Sequence, residues 1–443
     1  MYDPVGAGGP DTVRALSSMT RENLRSSQIP PALFGAIAAF CAMAAAWHPP
    51  AAAATAADIP AIMRLTVDSW VASAQAADFI PYGFNFLADK AIEPDLVSPS
   101  NLIRQASSSA ALANYFDYTG DPRVRDRIQR TLSAFGKLSL PIGKRRLQQL
   151  VEATHALSSP VGRWRLKSAL GRFGLLYQTS GDGKVVSPDG SYGNALAGTV
   201  ALALLTEVVY SHASGDQSFA GLRAAWRDGL LSLRIPGGGF RQDPSSIDDS
   251  DYYNGEAWLA LAVYGDLNKD DLRLTKALSD LDDALLRRYS ENPSVNFFGW
   301  GAMAAAQRYK TTADAKFLAY LRQLGDGFVA RYQRRFAADA NNCAAMEGIG
   351  AIAAALKQSG ENDTDRARAL RAWLSNEVTK LDRLQIQPGQ QGLALGGEAY
   401  LRAPRMAEYS GGFLAGIYDP LTRVDAAGHC LSAMVIIERN HLF

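Results

Sequence analysis

The sequence predicts an all-helical protein built as a closed double ring, six inner helices enclosed by six outer ones. Strand-type alternation is scarce across the 443 residues, two helical textures alternate along the chain, and the joints between them repeat one punctuation. One texture is apolar on every face and rich in small residues: Asn194–Val209, Tyr253–Tyr264, Gly299–Ala306, Met346–Leu356 and His429–Ile437. A helix of that kind has to be buried on every face. The other is amphipathic and charged: Pro122–Leu138, Phe219–Leu233, Asp270–Tyr289, Ala313–Phe336 and Thr364–Leu384. Arg366, Arg368, Arg371 and Lys380 mark the solvated face expected for the last of these.

In chain order, residues 1–57 precede the ring. Arg14, Arg21 and Arg25 come before an uncharged stretch from Ile29 to Trp47, then an alanine-rich run from Ala51 to Ala57. That is the order of a secretory signal, and Ala52-x-Ala54 and Ala54-x-Ala56 offer small-residue cleavage sites. Met19 would start a more ordinary signal peptide. The apolar core is short for a span of about 20 residues. Cleavage is therefore expected, with an uncleaved N-terminal anchor as the alternative. Both put the protein in the periplasm or outside the cell, or tether it to the inner membrane. Export changes how the cysteines read. Cys41 falls in the leader, and Cys343 and Cys430 remain to form one disulfide in an oxidising compartment.

From Asp58 to Phe443 the chain reads as one domain. Tyr118-Thr-Gly-Asp-Pro122 ends one helix on Gly120, caps the next with Asp121 and places Pro122 in its first turn. Ser214-Gly-Asp216, Tyr264-Gly-Asp266 and Ser359-Gly-Glu361 repeat the break. Buried-type helices begin near residues 101, 192, 253, 299, 346 and 428, and charged partners near 60, 122, 219, 270, 313 and 364. The spacing is too irregular for a TPR or ankyrin solenoid. Gly143–Gly174 stands apart, with Lys144, Arg145, Arg146, Arg163, Arg165, Lys167 and Arg172 against Glu152. It reads as a basic helical insertion: a solvated lid, or a strip facing an acidic polymer or anionic membrane surface.

Texture and count together resemble the (α/α)6 toroid of six-hairpin glycosidases and sugar epimerases. Tyr252-Tyr-Asn-Gly-Glu-Ala-Trp-Leu-Ala-Leu261 resembles the openings of inner helices in bacterial toroids. Arg423-Val-Asp-x-x-Gly-His-Cys-x-Ser-Ala433 resembles the closing helix of such proteins. The resemblance implies inner helices that all point one way and a funnel at one end, lined by loops and suited to a glycan. Glycine- and aromatic-rich segments precede the inner helices at 187–194, 236–243, 248–254, 296–301, 396–400 and 409–413.

Glu256 is the first acid to single out, placed in the first turn of an apolar helix, where the helix dipole stabilises a carboxylate. Glu347 has the equivalent place in Cys343-Ala-Ala-Met-Glu-Gly-Ile. Glycoside hydrolysis needs two carboxylates across the scissile bond, and these two are its candidates, with Asp251 a further catalytic acid. Asp189, Asp249, Glu398 and Glu408 are other loop acids. His429, opening the last inner helix, suits a general base for an epimerase or lyase. Substrate contacts are expected from Tyr192, Tyr253 and Trp300 by stacking, from Arg241 and Arg423 to a uronate carboxylate, and from Asp189, Asn254 and Asp425. Cys343, His429 and Cys430 also offer a zinc ligand set, but in His-Cys order where lanthionine cyclases have Cys-His. No metal is expected.

With a net charge of +1, nothing favours nucleic acid. No phosphate loop, dinucleotide fingerprint, G-x-S-x-G elbow or HExxH is present, so no cofactor is expected. The sequence reading is an exported carbohydrate-active protein acting on a polysaccharide or oligosaccharide, as hydrolase, lyase or epimerase, during exopolysaccharide production, modification or breakdown. Its alternative is a non-catalytic component that binds a glycan or a polysaccharide synthesis or export complex.

Overall fold

The structure, a computed structural model, describes residues 58–73, 77–92, 98–142 and 183–443, apart from 236, 247, 334–335, 337–338 and 396–398. The leader, the basic insertion and Glu398 lie outside the described residues. Twelve α-helices are described: α1 Asp58–Ser73, α2 Pro99–Thr119, α3 Arg125–Lys137, α4 Ala197–Ser214, α5 Ala220–Ser232, α6 Asp251–Leu267, α7 Leu272–Glu291, α8 Val295–Thr312, α9 Ala315–Gly327, α10 Cys343–Gln358, α11 Asp365–Leu384 and α12 Val424–Arg439.

Even-numbered helices form the inner ring. Each packs on the next and α12 packs back on α2, so the ring closes. The odd-numbered helices lie outside: α1 on α12, α3 on α2 and α4, α5 on α4, α7 on α6, α9 on α8 and α10, α11 on α10. The cause is visible in α4, where every residue from Ala197 to Ser211 is buried. Each buried Val or Leu there contributes roughly 1.5–3 kcal/mol. Aromatic stacking adds directionality where α6, α7 and α8 meet, with Phe297 6.1 Å from the Trp258 ring and 3.5 Å from that of Tyr289.

The joints at the C-terminal ends of the inner helices use the expected punctuation at Gly120, Gly215 and Gly360, but not at Tyr264-Gly-Asp266: α6 runs through that stretch to Leu267, where Gly265 lets Leu278 of α7 pack against it. Gly120 and Gly215 take left-handed conformations at φ 68° and 72° and cap α2 and α4 through their backbone N–H groups. Asp271, Asp314 and Thr364 accept backbone N–H bonds that open α7, α9 and α11.

Seven short strands dress the other end: β1 Gly83–Asn85, β2 Lys90–Ala91, β3 Ser139–Ile142, β4 Gly183–Val186, β5 Gly392–Ala394, β6 Tyr400–Arg402 and β7 Leu421–Arg423. β1 pairs antiparallel with β7, Phe84 opposite Thr422, tying the segment before α2 to the segment before α12. β3 and β4 pair with Ser139 opposite Val186 and bracket residues 143–182.

Three expectations shift. The aromatic-glycine stretch Asn296–Gly301 is helix rather than loop, because Gly299 lets α8 approach α10; a Cβ there would lie 2.9 Å from the Ala344 carbonyl oxygen. α12 begins at Val424, where Arg423 leaves β7, so His429 sits in its second turn. Lys380 is buried, its Nζ 2.5 Å from Glu377 Oε2, and does not belong to the solvated face of α11.

Candidate active site

The inner helices run parallel, and their first two turns meet. Gly198 of α4 lies against Ile103 of α2 and against Tyr253 and Glu256 of α6. Gly255 lies against Trp300 of α8, Gly348 of α10 against Gly299, and Gly428 of α12 against Ser108 of α2. The sixth residue of α2, α6, α8 and α12 and the fifth of α10 are therefore Arg104, Glu256, Trp300, His429 and Glu347. These isolated polar or aromatic side chains stand on helices otherwise filled with small and apolar ones.

His429 and Glu347 are in contact, Nδ1 to Oε2 at 2.6 Å. The bond orients the imidazole and leaves Nε2 as the ring nitrogen available for chemistry. Burial works against a charge on His429, but Glu347, Asp425 and Glu256 outweigh it and raise its pKa above 6.5. The Trp300 ring stands edge-on to the imidazole, centroids 5.9 Å apart.

Glu256 is 5% exposed and its Oε2 has no hydrogen-bond partner among the described residues. Burial pushes its carboxyl up to about 8, against the pull of the His429 charge. The expected helix-dipole stabilisation does not govern it. α6 starts at Asp251, two residues before the sequence reading put it, so Glu256 stands beyond the first turn, where the dipole falls off. Oε2 reaches the backbone of α4 because residue 198 is glycine; a Cβ there would lie 2.0 Å from it. Burial, Glu256 and Asp243 push the neighbouring Tyr253 phenol above its ordinary range.

A second cluster adjoins this one. Asp425 accepts Arg423 Nε and Nη2 at 2.9 and 2.7 Å and pairs with Arg104 Nε at 3.2 Å. Arg104 also donates to the Tyr82 hydroxyl. Burial works to raise the Asp425 pKa, and the two guanidinium groups override it and hold the carboxyl below its usual value.

The remaining sequence candidates are held by partners of their own. Asp251 is bound by the Tyr289 hydroxyl at 2.7 Å and Arg288 Nη2 at 3.3 Å, and Arg288 also holds Asp249. Five residues along one helix set Asp251 about 140° round from Glu256. Asn254 is fully buried and ties three segments together: it accepts from the Phe240 backbone at 2.7 Å and donates to Asp249 and the Tyr289 hydroxyl. Asp189 closes its own turn through Ser191 N, Ser187 Oγ and Asn194 Nδ2, and these bonds lower it to about 2. Tyr192 donates to the Pro141 carbonyl at 2.6 Å, and the Arg241 backbone bridges to Asp249. Glu408 pairs with Arg405 on the surface.

Cys343 and Cys430 are joined, with Cα atoms 4.7 Å apart. Neither sulfur is a thiolate, which removes the zinc set. Among the described residues no group of three or more metal-ligating side chains is assembled. Arg104 and Tyr82 were not among the sequence candidates. The signal that picks out Glu256, a lone charge near the start of a buried helix, also applies to Arg104.

No family model matches the sequence, and no curated protein is similar to it. Among solved structures, the alpha-1,6-mannanase of Salegentibacter sp. HEL1_6 superposes with a TM-score of 0.52 at 8% identity, over 86% of this chain and 98% of that one. An inactive variant of that enzyme in complex with alpha-1,6-mannotetrose gives 0.50 at 9% identity, over 87% and 100%. An unsaturated glucuronyl hydrolase specific for heparin gives 0.49 at 11%, over 86% and 98%. The chain has the (α/α)6-toroid fold of the six-hairpin glycosidases.

Proposed function

We propose that this protein is an exported carbohydrate-active enzyme that cleaves a polysaccharide by acid–base chemistry. One observation carries the reading: a buried carboxyl and a carboxylate-bound histidine, on three inner helices of one ring end, have their proton affinities pushed by different causes. Glu256, raised to about 8 by burial, holds its proton at neutral pH and is the donor to the leaving oxygen. His429, oriented by Glu347 at 2.6 Å, is the base that takes a proton from water or from the sugar ring. This division differs from two carboxylates facing each other, because Glu347 already has His429 as its partner. The fold supports the glycan, since the mannanase with this architecture has been seen with an oligosaccharide bound. The disulfide fits export through residues 1–57, and a polysaccharide synthesis or export complex is the natural context for such a protein.

The test is a glycan panel, neutral and acidic, followed for new reducing ends and for unsaturated sugar products. Hydrolysis releases the first and elimination the second. On the glycan that is cut, Glu256→Gln and His429→Asn should each lower kcat by about 10²–10⁴. The kcat/KM profile should be bell-shaped. Its alkaline limb near 8 is set by loss of the Glu256 proton, and its acid limb, above 6.5, by protonation of His429. Full turnover in both variants sinks the mechanism. Glycan binding with no product across the panel favours the non-catalytic binding component.

A further inference from the structure

We infer that the Cys343–Cys430 disulfide is a positioning element of the acid–base site: its oxidation, and not closure of the ring alone, brings Glu347 and His429 into contact. The inference rests on the reading of that pair given above. Its basis is placement. Cys343 opens α10, and Glu347 lies four residues on, one turn along the same face. Cys430 directly follows His429 on α12. The bond, with Cα atoms 4.7 Å apart, therefore lies within about one helical turn of both members of the 2.6 Å pair.

The topology explains why a cross-link belongs here. Every other inner helix runs directly into its outer partner through a short joint at the far end of the ring. α12 does not: its outer neighbour α1 comes from the opposite end of the chain. Its N-terminal end is reached by the segment 385–423, whose residues 415–417 bond to the backbone at 339–341 ahead of α10, so its height against α10 is set through loop backbone and not through a helical hairpin. A charged contact between two such helices loosens with a small slide, and catalytic geometry tolerates about 0.5 Å. A covalent link beside the pair removes that slide.

The step balances as ordinary thiol–disulfide exchange. One cysteine thiolate attacks an external disulfide, a dithiol oxidant in its oxidised form, and expels a thiol. The second cysteine thiolate then displaces the mixed disulfide, so two electrons and two protons leave the protein as two thiols on the oxidant. Both cysteines are fully buried in the folded chain. The bond is thus a maturation step rather than a reversible switch.

The groups facing His429 are Glu347 from α10, Asp425 from its own helix, Glu256 from α6 and the Trp300 edge from α8. Its titration therefore reports the geometry without any substrate. The experiment follows the His429 imidazole resonance, assigned by its loss in His429→Asn, against pH in the mature protein. In Cys343→Ala/Cys430→Val the midpoint should fall toward that of an ordinary histidine, and kcat should fall about tenfold or more with KM nearly kept. Trp226→Leu, on the outer helix packed against α4, should lower the melting temperature and leave the His429 midpoint unchanged. Glu347→Gln, with the disulfide intact, should lower the midpoint too. A folded double-cysteine variant with an unshifted midpoint overturns the inference, as does an unshifted midpoint in Glu347→Gln. A double variant that cannot fold also overturns it, since the bond would then hold the ring and not the pair. Because the readout is a titration, this inference and the glycan reading can fail separately.

Discussion

The two ends of the ring are built by opposite rules. At the C-terminal ends of the inner helices the joints are short, as at 120–124, 215–219 and 313–314, and they end and restart helices by local chemistry. Left-handed residues such as Gly120, Gly215 and Ala313, an Asp or Thr side chain accepting a backbone N–H of the next helix, and a proline in the first turn do most of it. At the N-terminal ends the connections are mostly long, as at 74–98, 233–250 and 385–423, and carry the strands and bridges. There the side chains satisfy partners far away in sequence. Tyr82 meets Arg104, Asn254 meets Phe240 and Tyr289, and Glu347 meets His429. One end spends its residues on stopping and starting helices; the other holds ionisable groups in places that stability alone would not choose.

If that contrast is right, removing the buried acid should stabilise the protein, in a pH window set by its shift. The folded pKa of Glu256 is raised, from 4.5 to about 8. Between those values the folded state binds more protons than the unfolded one, so stability falls as pH rises through the window. Glu256→Gln cannot lose a proton. Its gain over the wild type should be small near pH 4 and grow to about 5 kcal/mol at most by pH 9. Chemical denaturation of both proteins at the two pH values measures it. A gain that shrinks as pH rises would break the comparison, because Glu256 would then be stabilised as the anion. The same substitution removes the proposed proton donor, so stability and turnover should move in opposite directions.

The fold was legible because its signals are local or categorical. A helix as uniformly apolar as Ala197–Ser211 has one kind of place to go, and Gly120-Asp121-Pro122 states a joint without reference to anything distant. The candidate site was legible only as a set of positions. Lone charges near the start of buried helices picked out Glu256, Glu347 and His429. In helices lined with alanine and glycine, however, no hydrophobic stripe tells which way such a charge faces. Glu207 shows the ambiguity. It is also an isolated acid in an apolar inner helix, yet it points outward, to Arg223 Nε of α5 at 3.5 Å. The same blindness hid that Glu347 is bound by His429 and that Asp251 is bound by Arg288 and Tyr289. Those partners lie 82, 37 and 38 residues away, and only the closed ring puts them together.

Glycine exchanges at the two ends sharpen the contrast. Gly198→Ala at the mouth adds one methyl group where a Cβ would stand 2.0 Å from Glu256 Oε2, 2.6 Å from Ile103 and 2.7 Å from Tyr253. Neither α2 nor α6 can retreat without opening the ring. The cost should be about 1–3 kcal/mol of overpacking, and the carboxyl should be displaced, so turnover falls further than the loss of stability explains. A melting curve together with kcat at a temperature where the variant is fully folded separates the two effects. An alanine variant with wild-type turnover would show that the close approach at Gly198 is packing alone.

The smallest effect belongs to the opposite end and has the opposite sign. Ala313 closes α8 in the left-handed region at φ 55°, with its backbone N–H bonded to Tyr309 O. Gly120 and Gly215 do the same work for α2 and α4 as glycines. An L-residue with a Cβ loses roughly 1 kcal/mol in that conformation. Glycine relieves the strain but is more flexible in the unfolded chain, which returns part of the gain. Ala313→Gly should therefore raise stability by about 0.5 kcal/mol, seen as a small rise in melting temperature, and leave turnover and its pH profile untouched. The joint is two residues long, Ala313 and Asp314, and lies at the end of α8 away from Trp300. A change there that altered the alkaline limb would mean the two ends are coupled along α8, and the division of labour between them would have to be given up.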